Sequence, residues 1–289
     1  MVIHMGKIKI VADSTCDLSE DLLKKYDISI IPLCIIMDDK SYYDREEISP
    51  EEIFEWADEH NTTPKTAAAS FDRTLEVLEP FMEAGDDILF FGISMEMSTT
   101  CNVVSLVAAD KEYDRLFVID SRNLSTGIGL QIIKAAELAQ EGKSAEEIVE
   151  IIENAKVRVR ASFVIDTLTY LARGGRCNAV TALLANTLKL HPKIVVKQGS
   201  MGVNKKYMGN ISTALSKYAH DLEEELRNAE PDRVFITHSG CSREIVEKIR
   251  QFLEGLGYFE EIIETKAGGV ISSHCGPNTL GILFYSKEE

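Results

Sequence analysis

The chain of 289 residues carries 31 Lys and Arg against 47 Asp and Glu, a formal net charge of −16, and 45% of its residues are hydrophobic. Length suggests about two domains, and the composition is that of a folded chain able to bury a core without disulfides or metal. The acid excess excludes a generic nucleic-acid binder, which needs bases against phosphate, and no apolar run reaches the length of a membrane span.

In chain order, KIKIVA at 7–12 reads as a first strand ending at Asp13-Ser14-Thr15, and 19–25 as a short helix. The apolar run 28–37 predicts one strand buried on both faces. Ser49-Pro50-Glu51-Glu52 is a helix start, with a capping serine, proline in the first turn and early acids, running to about His60. DILFFGI at 87–93 predicts a buried strand, then a polar loop and a helix from about Ser98. A strand at 115–119, a helix at 128–141 and a capped helix opening at Ser144 follow. This alternation predicts an α/β fold of two α/β domains, 1–163 and 164–289, the first built on a mostly parallel sheet.

The second domain begins with a strand near 163–165 and helical pieces at 167–172 and 177–188. Residues 193–203 predict a hairpin turning at Gly199. From Ile211, the residues Leu215, Tyr218, Ala219, Leu222 and Leu226 form a helical stripe. Strands at 233–237, 259–264 and 280–285 and a helix at 243–253 complete the unit.

Charge is unevenly placed. Residues 156–217 hold eleven Lys and Arg and one acid, Asp166, a net of +10, while the remainder holds 20 bases and 46 acids, a net of −26. Such a block points to an anion or an acidic partner. The six cysteines, at 16, 34, 101, 177, 241 and 275, contain no Cys-x-x-Cys pair. Reduced thiols, no metal site, no cofactor and a cytoplasmic location are the expectation. The opening residues Met1 to Gly6 are too short for a signal peptide.

Four polar clusters fall where α/β folds place ligands, beyond strand ends: Asp13 to Asp17, Pro64-Lys65-Thr66 to Ser70 in a loop before a helix, Ser94 with Ser98-Thr99-Thr100, and Ser272 to Pro277. Asp-Ser-Thr after a strand is also a plain helix cap. Hydroxyls at helix N-termini suit a carboxylate or phosphate, which nominates Thr66, Ser98 and Ser94 as anion donors. His274 is a further donor; the alternative is a structural histidine bonded to a backbone carbonyl. In Arg173-Gly174-Gly175-Arg176 the paired glycines let a turn approach another backbone closely while the arginines present forks to an oxyanion; the alternative is a helix break with two solvated arginines. No nucleophile elbow, Walker A sequence or Gly-x-Gly-x-x-Gly fingerprint is present, so no catalytic residue is nominated.

Taken together, VADSTCDL at 11–18, VIDS at 118–121, TLTYLARGGR at 167–176 and SHCGP at 273–277 with Leu280-Gly281 resemble the DegV family of fatty-acid-binding proteins across essentially the whole chain. The resemblance implies two α/β domains with a long-chain fatty acid in a tunnel at or near their interface. It places the carboxylate on Thr66, Ser98 and His274, with Arg173 and Arg176 near the exit or docking surface. It also implies a partner, a separate ATP-binding fatty acid kinase subunit that makes the acyl phosphate. Three departures stand out: Ala67, Ala68 and Ala69 replace Ser-Gln-Pro, Thr99 replaces a glycine, and Asn278-Thr279 replace Gly-Ala. A competing reading is a small-molecule phosphotransferase related to dihydroxyacetone-kinase-type domains, with His274 as nucleophile or base. The lack of a phosphate-cradling glycine loop counts against it.

Overall fold

Alternation along the first strands decides the architecture of the amino-terminal half. The computed structural model describes residues 7–181 and 190–288. β1 (Ile8–Asp13) is followed by a 3-10 turn at Ser14–Cys16, α1 (Glu20–Lys25) and β2 (Ile28–Ile31). β3 (Cys34–Met37), β4 (Lys40–Tyr43), α2 (Pro50–His60), β5 (Lys65–Ala67) and α3 (Phe71–Ala84) come next. β6 (Asp87–Gly92), α4 (Thr100–Asp110), β7 (Leu116–Asp120), α5 (Thr126–Gln140) and α6 (Ala145–Ala155) complete this half. β2, β1, β6 and β7 pair in that order, all parallel. Ile10, Ala12, Leu89 and Phe91 face a core closed by α5 and α6, while Val11, Ile88 and Phe90 face α3 and α4. A parallel sheet covered on both sides needs apolar side chains at successive positions, as IKIVA and ILFF supply.

The single strand expected at 28–37 is instead two strands in two sheets. Pro32 has no N–H to continue the ladder, and the Leu33 N–H donates to Ser14 Oγ at 3.2 Å. The chain leaves the parallel sheet there, and β3 becomes the centre of a separate antiparallel sheet, β4-β3-β5. Thr66, expected in a loop, therefore lies on β5, paired opposite Ile35. The helix expected from Ser98 begins two residues later, at Thr100. Both expected serine caps are present as full capping boxes, Ser49 with Glu52 and Ser144 with Glu147.

The second half comprises β8 (Val159–Val164), α7 (Leu168–Gly174), α8 (Asn178–Thr181), β9 (Leu190–Lys197), β10 (Ser200–Met208), α9 (Ile211–Asp221) and α10 (Glu223–Arg227). It ends with β11 (Ala229–Ser239), α11 (Arg243–Gly255), β12 (Glu261–Lys266), α12 (Gly269–Cys275) and β13 (Thr279–Ser286). The six strands run in the order β10-β9-β8-β13-β11-β12, antiparallel except for β11 with β12. The expected boundary at 163/164 falls inside β8, all of which belongs to this second sheet, so the change of sheet precedes Val159. Most of the helix expected at 177–188 lies outside the described residues. The hairpin turns at Gln198 and Gly199, both at positive φ (49° and 84°), the backbone a two-residue type I′ turn requires.

α5 lies between the two large sheets and packs against β1 and β6 on one side and β8 and β13 on the other. Its Ile128 and Ile132 join Ala12 and Phe91 to Phe163 and Leu283 in one continuous apolar cluster. A second cluster under α9 and α11, around Tyr218, Phe284 and Val246, covers the outer face of the six-stranded sheet.

Candidate functional site

Beyond the carboxyl ends of β2, β6 and β7, where open parallel sheets bind ligands, the structure holds a cavity of about 500 Å³. Leu33, Ile93, Leu124, Leu171, Val270 and Ile271 form apolar walls together with Met95, Met97 and Met201. A further cavity of about 30 Å³ shares Leu124, Ile271 and Cys275 with it and continues inward to Phe163 and Leu283. Apolar space thus extends from the cavity toward the core between the sheets. Burial pushes the Cys275 thiol up to about 12, so Cys275 is an uncharged part of that wall.

Four of the six nominated residues, Thr66, Ser98, His274 and Arg176, line this cavity. Thr66 and His274 are 208 positions apart in sequence, yet Thr66 Oγ1 and His274 Nε2 meet at 2.8 Å. β5 brings the threonine and α12 the histidine. Ser98 Oγ lies 2.9 Å from Thr100 Oγ1 and accepts the Thr100 N–H at the start of α4. Arg176 donates to the Gly174 carbonyl at 2.7 Å and to the Met97 carbonyl at 3.5 Å, linking the end of α7 to the loop carrying Ser98.

His274 does not bond a backbone carbonyl. Its Nδ1 has no hydrogen-bond partner, because Gly174 packs against that edge: a Cβ at Gly174 would lie 2.2 Å from Nδ1. The close approach foreseen for the paired glycines is therefore onto the imidazole. Burial, then the nearby Arg176 charge, hold His274 down to about 4, leaving it neutral at ordinary pH. When Nε2 carries the proton it donates to Thr66 Oγ1, which frees the threonine hydroxyl proton for a ligand. A carboxylate would then meet O–H donors from Thr66 and Ser98 and a cation from Arg176.

Ser94 and Arg173 are placed differently. Ser94 is fully buried and off the cavity, its Oγ donating to the Gly199 carbonyl at 2.8 Å, so it ties the hairpin tip to the loop leading to Ser98. Arg173 is exposed and donates to the Asn61 carbonyl at 3.3 Å. Of the departures, Ala67, Ala68 and Thr99 line the cavity, whereas Ala69 is buried on the α3 side. Thr99 has φ −93° and ψ 10°, open to any residue, so its Cβ adds no backbone strain. The methionine walls carry no periodicity that sequence reading could have isolated. Among the described residues no three His, Cys, Asp or Glu side chains converge as a metal site, and no helix is long and apolar enough to cross a membrane.

Residues 7–287 match the family model described as "Uncharacterised protein, DegV family". A DegV domain-containing protein of Clostridium acetobutylicum is 30% identical, the alignment covering 98% of this chain and all of the relative. Among solved structures, a Thermus thermophilus DegV family protein described by its fatty acid binding superposes with a TM-score of 0.89 at 30% identity, covering 97% of this chain and 99% of the other. A Eubacterium ventriosum protein described as stearic-acid-binding gives a TM-score of 0.84 at 26% identity, covering 97% and 98%. With the match spanning all three sheets and every segment around the cavity, the chain belongs to the DegV family.

Proposed function

We propose that this protein binds a long-chain fatty acid, with its carboxylate at Thr66, Ser98 and His274 and its acyl chain along the apolar walls, and presents it to a separate ATP-dependent fatty acid kinase subunit. The observation that carries the reading is the Thr66–His274 pair, set beside Ser98 and Arg176 in an otherwise apolar cavity. Ligands of this kind need apolar enclosure plus a few fixed polar groups. Each buried CH₂ contributes about 0.8 kcal/mol before ordering losses, so the chain supplies affinity and the donors supply orientation. The fatty acids named for the Thermus and Eubacterium proteins support this ligand class. The kinase partnership follows the family resemblance and the exposed Arg173 beside the site.

Native mass spectrometry of the purified protein tests the reading, with a bound long-chain acid as the expected adduct. Hydrogen bonds to a charged group contribute about 1.5–3 kcal/mol each. Replacing both Thr66→Ala and Ser98→Ala should therefore speed fatty acid dissociation about a hundredfold or more, with the fold intact. Unchanged retention in the double variant overturns the headgroup assignment, and a phosphorylated His274 overturns the carrier reading.

A further inference from the structure

The 13–17 segment is largely polar, buried and absent from the cavity lining, yet its side chains bond the loop that leads to Ser98, the residue before the strand that pairs with Thr66, and the start of the helix that carries His274. Asp13 Oδ2 accepts the Ile93 N–H at 2.7 Å, at the root of the loop that carries Ser98. Its Oδ1 accepts the Thr15 N–H at 3.0 Å. Ser14 Oγ accepts the Leu33 N–H just before β3, the strand whose Ile35 pairs with Thr66, and donates to Asp44 Oδ2 at 2.7 Å. The other oxygen of Asp44 accepts the Gly269 N–H at 2.8 Å, in the first turn of α12. Asp17 Oδ1 accepts the adjacent Gly268 N–H at 2.8 Å, and its Oδ2 accepts the Ser125 hydroxyl.

Asp13 and Asp44 are 0% exposed and Asp17 is 2% exposed, so none of the three touches a ligand in the cavity. Buried carboxylates are retained only where their oxygens are satisfied, and here they are satisfied by the Thr15, Ile93, Gly268 and Gly269 amides and the Ser14 and Ser125 hydroxyls. α12 has no side-chain cap of its own: its cap residue is Gly268, and Asp17 and Asp44 take the first amides in its place. A Cβ at Gly269 would lie 2.9 Å from Asp44 Oδ1 and 2.6 Å from Ile35 Cδ1, so the helix start is pressed against the brace.

We infer that the 13–17 segment, with Asp44, is the positioning element of the headgroup site, holding the Ser98 loop, the small sheet of Thr66 and the helix of His274 in one fixed arrangement. The inference rests on the proposed function for the ligand, and on the hydrogen bonds alone for the arrangement. Asp17 and Asp44 each accept one backbone N–H and pair with one hydroxyl. An asparagine keeps both links, because its carbonyl accepts the amide and its NH₂ donates to the hydroxyl oxygen. Asp13 differs, since both of its oxygens accept backbone N–H groups, and an asparagine there must turn a donor toward one of them.

The test combines NMR of the His274 imidazole in lipid-stripped protein with fatty acid dissociation rates. Asp17→Ala and Asp44→Ala should shift the His274 resonances and speed dissociation about tenfold or more. Asp17→Asn and Asp44→Asn should restore both readouts close to those of the unaltered protein. Asp13→Asn should speed dissociation while leaving the His274 resonances in place, because it loosens the Ser98 loop and not α12. If the alanine variants fail to fold, the three asparagine variants carry the test. Unmoved His274 resonances in folded alanine variants, or asparagine variants indistinguishable from one another, overturn the inference. Absence of any fatty acid from the unaltered protein refutes the proposed function instead, and the His274 resonances still decide the arrangement.

Discussion

Asp17 illustrates how far a buried carboxylate can depart from its free behaviour. Burial raises it to about 7, against the opposing hydrogen bonds from Ser125 and Gly268. Below about pH 4 the folded and unfolded states are both protonated at this group, and its titration contributes nothing to stability differences. As pH rises from there to about 7 the folded state holds the extra proton, so this group's contribution falls steadily, by roughly 4 kcal/mol in all. Asp17→Asn removes the titration while keeping both links. Relative to the unaltered protein it should therefore gain stability as pH rises from about 4 to about 7, as urea denaturation would measure. A variant that loses ground over that interval would show that the ionised carboxylate is the favoured form. The same residue shows what sequence reading could see. Asp13 to Asp17 stood out as a polar cluster after a strand, and a helix cap was the plain reading. Asp13 does cap the 3-10 turn through Thr15, but its bond to Ile93, 80 positions away, is set by tertiary packing. Thr66 and His274 were nominated separately, as a hydroxyl and an imidazole in two polar clusters, and only the family likeness joined them, because no local pattern links residues 208 apart.

Elements whose signals are local were legible, and those decided by a single backbone group were not. Ser49 and Ser144 announced their helices because a capping box is written in four consecutive residues. The stripe from Ile211 was visible because burial repeats with the helix period, although the helix breaks into α9 and α10 around Leu222. The run at 28–37 misled because its hydrophobicity is continuous across Pro32, and only the missing N–H separates β2 from β3. With that break unseen, the small sheet carrying Thr66 was invisible as well. The hairpin at Gly199 was read correctly, and its turn also bears on the site. Gly199 has φ +84°, and a Cβ there would lie 2.6 Å from Ser94 Oγ. Ser94 in turn accepts the Met97 and Ser98 N–H groups on its carbonyl at 2.8 and 3.1 Å. Gly199→Ala should destabilise the protein by about 2 kcal/mol through the left-handed backbone and this clash, and should speed fatty acid release by displacing the Ser98 loop. Gly202→Ala, on the same hairpin with nothing within 4 Å of its Cβ, is the matched control. Equal effects at the two positions in denaturation and release experiments would contradict the coupling.

At the scale of the whole molecule, the +10 segment is partly neutralised by acids from outside it. Lys156 pairs with Glu153, Arg158 with Glu230, Lys193 with Glu225 and Lys205 with Asp221. Among the described residues, Arg160, Arg173, Arg176, Lys197, Lys206 and Lys217 have no acid within 4 Å, so the charge free to meet a partner is narrower than the sequence count suggests. Of these, Arg176 lines the cavity from the turn after α7, and Arg173 stands exposed in the last turn of that helix. That separation divides the two roles nominated for the pair. Arg176→Ala should affect both lipid retention and transfer. Arg173→Ala should leave fatty acid dissociation unchanged and slow kinase-dependent acyl phosphate formation about three- to tenfold at limiting kinase, as a charge at the rim of an interface acts mainly on association. The unaltered protein's rate should also fall more steeply with ionic strength than the variant's, because screening weakens an attraction that the variant has already lost. Kinase assays across a salt series, run beside lipid dissociation measurements, separate the outcomes. Parallel loss of lipid retention and phosphorylation in Arg173→Ala would place that arginine in the lipid site and leave the docking role without support.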